Sequence, residues 1–298
     1  MLEEIRQKQI ERIRKRNKRK KRVIILLIGI LLILGAALYF LNMQINQTFE
    51  ITTYNLDTDK IDGEYKIALL SDLHNSEFGE NNGELIQAVE QANPDIIVMC
   101  GDMVLQDDPD VSVVLNLCEQ LKETADIYYI LGNHEGVLIY QEGGLEVPLD
   151  GYLYDMGVTV CYPGEYVIQD GENKISLFSA SMNEDTYKAD TVLQSEFQNF
   201  TQEDCFKIVA SHFPNTIYDL LANEDFDLGV AGHFHGGQVI VPGIGGLYHK
   251  DTGFFPEYYG GMYDLEKAKL VVTRGLGNSS VVPRINNKPE LVLIDING

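Results

Sequence analysis

The sequence predicts an α/β sandwich with mixed sheets, preceded by one helix of bilayer-spanning length. Three observations carry that reading. From about residue 48, short apolar runs of strand length alternate with stretches of helical periodicity. Hairpin signals enter only in the second half, so parallel and antiparallel pairing are both expected. Residues 23–41, VIILLIGILLILGAALYFL, contain no charge.

At the N-terminus, residues 1–22 hold 11 of the 23 Lys and Arg, against Glu3, Glu4 and Glu11. The apolar run that follows would rise about 28 Å as a helix, close to the ~30 Å hydrocarbon layer. An uninterrupted apolar run with no polar face argues against a buried core helix. A cleaved signal peptide is the rival, but its apolar part would be long and LGAALYF is a poor small-x-small cleavage site. No adjacent Arg pair supports twin-arginine export. The expected organisation is a basic cytoplasmic segment over 1–22, an uncleaved anchor over 23–41 and one domain over 42–298 outside the cytoplasm.

Within that domain, TFEITTY (48–54) alternates as a strand, and YKIALL (65–70), DIIVMC (95–100) and DIYYIL (126–131) read as buried strands. Helices are predicted over 83–92 and 111–123, the second with Val111, Val114, Leu115, Cys118 and Leu121 on one face. A hairpin spans 164–180, turning at DGEN (170–173). FKIVAS (206–211) and FDLGVA (226–231) flank a predicted helix near 214–222, and KLVVTRG and PELVLIDI supply the last strands. No Pro- or Gly-rich linker divides these elements. Beyond residue 22 the chain carries 12 basic and 42 acidic residues, a net of about −30, which argues against nucleic acid as a partner. The four cysteines match no zinc spacing, and Cys100, in an apolar strand, reads as a buried thiol.

The strands end alike. Residues 65–70 run into Asp72 and His74, 95–100 into Asp102, and 126–131 into Asn133 and His134. Residues 206–211 end at His212, and 226–231 end in GHFH with His233 and His235. Five of the six histidines fall at these ends, where open α/β folds build their sites. Each fragment alone is an ordinary turn; the ordered set is not. Three oxygen donors (Asp72, Asp102, Asn133) and four imidazoles (His74, His212, His233, His235) exceed what one first-row ion takes and suit two. Mixed nitrogen and oxygen donors without thiolate fit Mn, Fe or Zn alike. Asp102, on the middle strand, is the candidate bridge between ions about 3.5–4 Å apart.

In this order, Asp-x-His, Gly-Asp, Gly-Asn-His-Glu, a single His and Gly-His-x-His resemble the calcineurin-like metallophosphoesterases, over roughly residues 48–296. The resemblance implies a four-layer αββα sandwich. It implies one metal on Asp72, His74, Asp102 and His235, a second on Asp102, Asn133, His212 and His233, and His134 as the catalytic histidine near the leaving group. Two positions depart from the family pattern: Leu105 stands where Asp usually closes Gly-Asp-x-x-Asp, with Asp107 and Asp108 just beyond, and Glu135 stands where Asp is common.

GHFHGGQV followed by TRGLGNSSVVPRINNKPELVLI is similar to the anchored or secreted bacterial branch, which includes phosphodiesterases and proteins resembling UDP-2,3-diacylglucosamine hydrolases. The resemblance implies in-line attack on phosphorus by a hydroxide shared between two divalent ions, with His134 protonating the departing alkoxide. Its substrate would be a phosphodiester or pyrophosphate of a phosphorylated small molecule or lipid-linked envelope component. A phosphomonoesterase, or a metal-binding envelope protein without turnover, are the alternatives. The aromatic loop 247–263 would wall the site or simply pack, and His249 in it is not expected to be a ligand. Arg284 would hold a substrate phosphate or form a structural salt bridge.

Overall fold

The computed structural model describes residues 1–140, 148–171, 173–180, 190–280 and 282–298. The chain divides into Met1–Ile45 and Asn46–Gly298. The first unit is one helix, α1 (Leu2–Ile45), which contains the apolar stretch 23–41. By length and composition its Arg14–Ile45 part could cross a membrane, and a signal sequence would pass the same test.

In the second unit, period-2 alternation builds two six-stranded sheets. The strands of the first half are β1 (Glu50–Asp57), β2 (Glu64–Leu70), β3 (Ile96–Cys100), β4 (Asp126–Ile130) and β5 (Thr159–Cys161). With the last strand, β16 (Glu290–Asn297), they order as β1-β16-β2-β3-β4-β5. β2 through β5 are parallel, β16 is antiparallel to β2, and β1 pairs parallel with β16 from Glu50↔Glu290 to Asp57↔Asn297. The other large sheet orders as β14-β15-β9-β8-β7-β6. Its members are β6 (Gly164–Asp170), β7 (Asn173–Ser179), β8 (Phe206–Ser211), β9 (Leu228–Ala231), β14 (Gly261–Asp264) and β15 (Lys269–Val272). β7, β8, β9 and β15 are parallel, and the two edge strands are antiparallel. The β6–β7 hairpin lies where it is predicted; Glu172 of its turn is outside the described residues.

Alternate side chains of β2 leave on opposite faces. Ile67 and Leu69 join Val98, Ile208, Val230 and Val271 in a core between the sheets. Ala68 and Leu70 face α2 (Gly83–Ala92) and α3 (Ser112–Leu121) through Leu85, Val89, Val114 and Leu117. On the outer face of the second sheet, Val209 and Leu270 pack on Phe197 and Phe200 of α6 (Thr191–Thr201). These three cores define the four layers, helix, sheet, sheet, helix.

Among the described residues, three helices go beyond the sequence prediction: α4 (Asn133–Tyr140), α5 (Leu149–Asp155) and α6, which Asp190 caps by accepting from the amides of Val192 and Leu193. The helix predicted near 214–222 is a single widened π-turn, Thr216–Leu221. Ile217 and Leu221, four apart, are both buried on the second sheet there. The four cysteines are buried free thiols.

Candidate active site

The carboxyl ends of β2, β3, β4, β8 and β9 converge, bringing all eight strand-end residues into one cluster. The backbone must turn sharply there. Asp72 (φ 55°), His74 (φ 48°), Asp102 (φ 51°), His233 (φ 68°) and His235 (φ 47°) all adopt the left-handed region. That region costs a residue with a side chain on the order of 1 kcal/mol or more. Hydrogen bonds between the turns hold them: Asp72 N–H donates to Gly101 O at 2.9 Å, His74 N–H to Asp102 O at 3.1 Å, and His233 N–H to Asp72 Oδ2 at 3.0 Å. Two glycines permit the close approach. A Cβ on Gly232 would stand 2.0 Å from Ser71 Oγ, and one on Gly132 would stand 2.3 Å from Asp102 Oδ1.

Ring partners reveal which histidine nitrogens are bare. A carbonyl or carboxylate can only accept, so the ring nitrogen facing it carries a proton. His74 Nδ1 donates to Val104 O (3.3 Å), His212 Nδ1 to Cys100 O (2.8 Å) and His233 Nε2 to Asp251 Oδ2 (2.7 Å). In the neutral ring, the inward nitrogen of each then carries the lone pair, the arrangement in which outer partners orient metal-binding histidines. His233 Nδ1 lies 2.9 Å from His212 Nε2, and His74 Nε2 lies 3.2 Å from His235 Nε2. Asn133 Oδ1 is buried with no hydrogen-bond partner. Inward lone pairs beside carboxylates and an unmatched amide oxygen fit divalent cations, and two of the groups able to hold one are Asp72 with His74 and His235, and Asp102 with His212 and His233. His235 differs from the other three, because Arg284 Nη2 sits 3.2 Å from its Nδ1.

Charge follows the same geometry. Burial pushes His74 down to about 3 and His233 down to about 4, and burial aided by Arg284 drives His235 well below the ordinary histidine range. Burial also acts against charge on His212, but the Asp102 carboxylate 3.2 Å away carries its pKa up to about 9. Asp102 mirrors this: burial opposes its ionisation, yet His212, helped by His134 and His74, holds its carboxyl well below the carboxylate range. Burial raises Asp72 to about 6. A divalent cation bound here would displace the proton that His212 holds.

His134 adjoins the cluster: with His74 and Asp102 it forms a third group able to hold a cation, and its ring centroid lies 4.6 Å from that of His74. Its amide donates to Asp102 Oδ1 (2.8 Å), its Nδ1 accepts from the Gln106 amide (3.0 Å), and its Nε2 is 3.7 Å from Asp102 Oδ2. Glu135, at the position where the sequence departs from the family pattern, is fully buried. It accepts from the amides of Asp102, Met103 and Gly132 and from Tyr129 Oη, so it ties the β3 turn to the start of α4. Asp108, beyond the Leu105 departure, accepts from Asn75 Nδ2 at 3.2 Å. Arg284 is buried, donates Nε–H to Gly277 O at 2.7 Å and lies behind His235, off the cavity wall.

Sequence reasoning missed Asp251 and set His249 aside. Both lie on the hairpin of β12 (Tyr248–His249) and β13 (Gly253–Phe254), and together with His233 they form a fourth group able to hold a cation. The signal was the polar HKD inside LYHKDTGFF.

A cavity of about 360 Å³ opens over the cluster. Its floor is Asp102, Asn133, His134, His233 and His235, and the aromatic loop does wall it, through Leu247, Tyr248, His249 and Lys250.

Residues 65–237 match the calcineurin-like phosphoesterase family, and the chain belongs to it. The metallophosphoesterase YkuE of Bacillus subtilis is 27% identical over 274 residues, covering 88% of this chain and 89% of YkuE. The phosphodiesterase YaeI of Escherichia coli is 26% identical over 240 residues, covering 78% and 82%. A metallophosphoesterase of Campylobacter jejuni is 26% identical over 269 residues; the match takes in 85% of this chain and 64% of that relative's length.

Proposed function

We propose that the chain is a two-metal phosphodiesterase anchored in the cell membrane, with its catalytic domain outside the cytoplasm. Asp72, His74, Asp102 and His235 would hold one ion, and Asp102, Asn133, His212 and His233 the other, with Asp102 shared. Mn, Fe and Zn all suit these donors. Divalent ions supply a nucleophile at neutral pH and offset charge growing on the phosphoryl oxygens. The observation that carries the reading is the set of inward-facing ring nitrogens of His74, His212 and His233, fixed from outside by Val104, Cys100 and Asp251. The diester preference draws on the name of YaeI, and the location on the basic run before the apolar helix. Phosphodiesters or pyrophosphates of envelope components are the proposed substrates.

His134 would protonate the departing alkoxide from Nε2, at the cavity floor. A second reading of this residue has its own support. With Nδ1 accepting from Gln106, the neutral ring has a single proton, on Nε2. To act as a full acid, His134 must become doubly protonated and release the Gln106 amide. Otherwise it serves as a hydrogen-bond donor to phosphoryl oxygen.

The test is turnover by the full chain, loaded with Mn²⁺, on bis(4-nitrophenyl) phosphate and 4-nitrophenyl phosphate. Metal-dependent hydrolysis with the diester favoured is expected. A monoester preference would shift the assignment to phosphomonoesterase, and no turnover with metal bound would leave a binding protein.

A further inference from the structure

We infer that the cavity takes an amphiphilic phosphoester, its phosphate at the histidine floor and its hydrocarbon chain along an apolar wall built by Val239, Leu247, Tyr248 and Val282 and continued by Phe254 and Phe255. This rests on the phosphoesterase reading above and narrows its substrate.

One continuous cavity joins the two parts. Above the floor the apolar part of its wall is Val239, Leu247, Tyr248 and Val282. The apolar surface does not stop at the mouth. Ile244 (66% exposed), Phe254 (70%) and Phe255 (53%) continue it onto the rim. These segments are joined to one another: the Tyr248 and Phe254 rings lie 5.1 Å apart, Phe255 N–H donates to Leu247 O, Val239 bridges to Ile285, and Gln238 Nε2 donates to Val282 O. A run of exposed large apolar side chains leading out of a polar site marks a surface that something apolar covers.

Polar occupants fit this wall poorly. A sugar or nucleobase needs several hydrogen-bonding partners, and with Gln238 Nε2 committed to Asn278 Oδ1 and Val282 O the wall keeps only His249, Lys250, Ser279 and Ser280 beside its apolar side chains. Lys250 is the one Lys or Arg among the described lining residues, and the chain beyond residue 22 is strongly acidic, so long-range attraction does not gather anionic esters here. Burial of hydrocarbon supplies what electrostatics does not. The domain also begins at this rim: Asn46 Nδ2 donates to the carbonyl of Arg284, next to Ile285.

The test uses the full chain, Mn²⁺-loaded, in a polymer-bounded phosphatidylcholine disc, with three esters of 4-nitrophenyl phosphate sharing one leaving group: methyl, octyl and thymidine 5′. Octyl should exceed methyl in kcat/KM by about tenfold or more, as burial of several methylenes implies, and thymidine should gain little. Val282→Ser and Phe254→Ser should bring the octyl-to-methyl ratio toward one. A wild-type ratio near one, or a preference for thymidine, would overturn the wall. Binding is read separately. The chain has no tryptophan, so Phe254→Trp introduces a single tryptophan that, excited at the red edge where tyrosine does not absorb, should report tighter binding of octyl phosphate than of methyl phosphate. Equal affinities overturn the inference whatever the turnover. Tighter octyl binding with no hydrolysis of any ester supports the wall and sinks the phosphoesterase reading instead.

Discussion

Asp102 at the cavity floor and His212, 3.2 Å from it, are 2% and 0% exposed, and their turns are locked by hydrogen bonds between strand ends of two sheets. Ile244 and Phe254 at the rim are 66% and 70% exposed and ride on hairpins whose strands are two residues long. The floor lies inside the matched region 65–237, and the rim lies beyond it. The difference teaches a division of labour. Chemistry needs donors held in strained turns that only a packed two-sheet frame can maintain, whereas selection of the substrate's remaining part needs only a surface beside them. Asp251 links the two, because it reaches from a rim hairpin to orient His233 in the floor.

Breaking the floor at its shared residue should have the largest effect. Asp102→Asn keeps an acceptor for the His134 amide but loses the charge proposed to serve both ions. Elemental analysis should show depletion of both metals, with hydrolysis lowered by more than about 10⁴-fold, beyond the usual loss of one acid–base group. Two full equivalents in that variant would remove the bridging role. The next effect is chemical. His134→Ala should retain metal and slow an alkyl diester by about 10²–10⁴-fold, while a nitrophenyl ester, whose leaving group needs no proton, loses clearly less. Equal losses on both esters would favour His134 as a donor to phosphoryl oxygen. The smallest of the three sits at the link. Asp251→Ala should weaken one metal by about 10–100-fold, the range for an outer partner of a metal-binding histidine, with Asp251→Glu restoring part of it in a calorimetric titration. Unchanged affinity for both ions would mean the floor is independent of the rim.

Much of the floor could be read from sequence because each donor directly follows an apolar strand, and a short continuous apolar run such as YKIALL or FKIVAS marks both strand and exit point. The four-layer arrangement was available only through family resemblance. Periodicity says that Leu69 and Leu70 face opposite ways, but not which sheet or helix covers each. The parallel pairing of β1 with β16 joins residues about 240 apart, and no local signal encodes it. The role of Asp251 was hidden for a similar reason. Asp251 and His233 are 18 residues apart across two hairpins, and HKD carries no regular spacing to the ligand set. Arg284 was visible as a cation near the site, but the sequence could not show that it lies behind His235.

The central claim is that two ions around Asp102 make this floor catalytic. The direct test strips the full chain of metal and titrates it with Mn²⁺, following bound equivalents and the hydrolysis of 4-nitrophenyl methyl phosphate in the same samples. Activity should stay low through the first equivalent and rise to its plateau as the second binds. A plateau reached at one equivalent, or activity that persists in the stripped protein, would contradict the two-metal account.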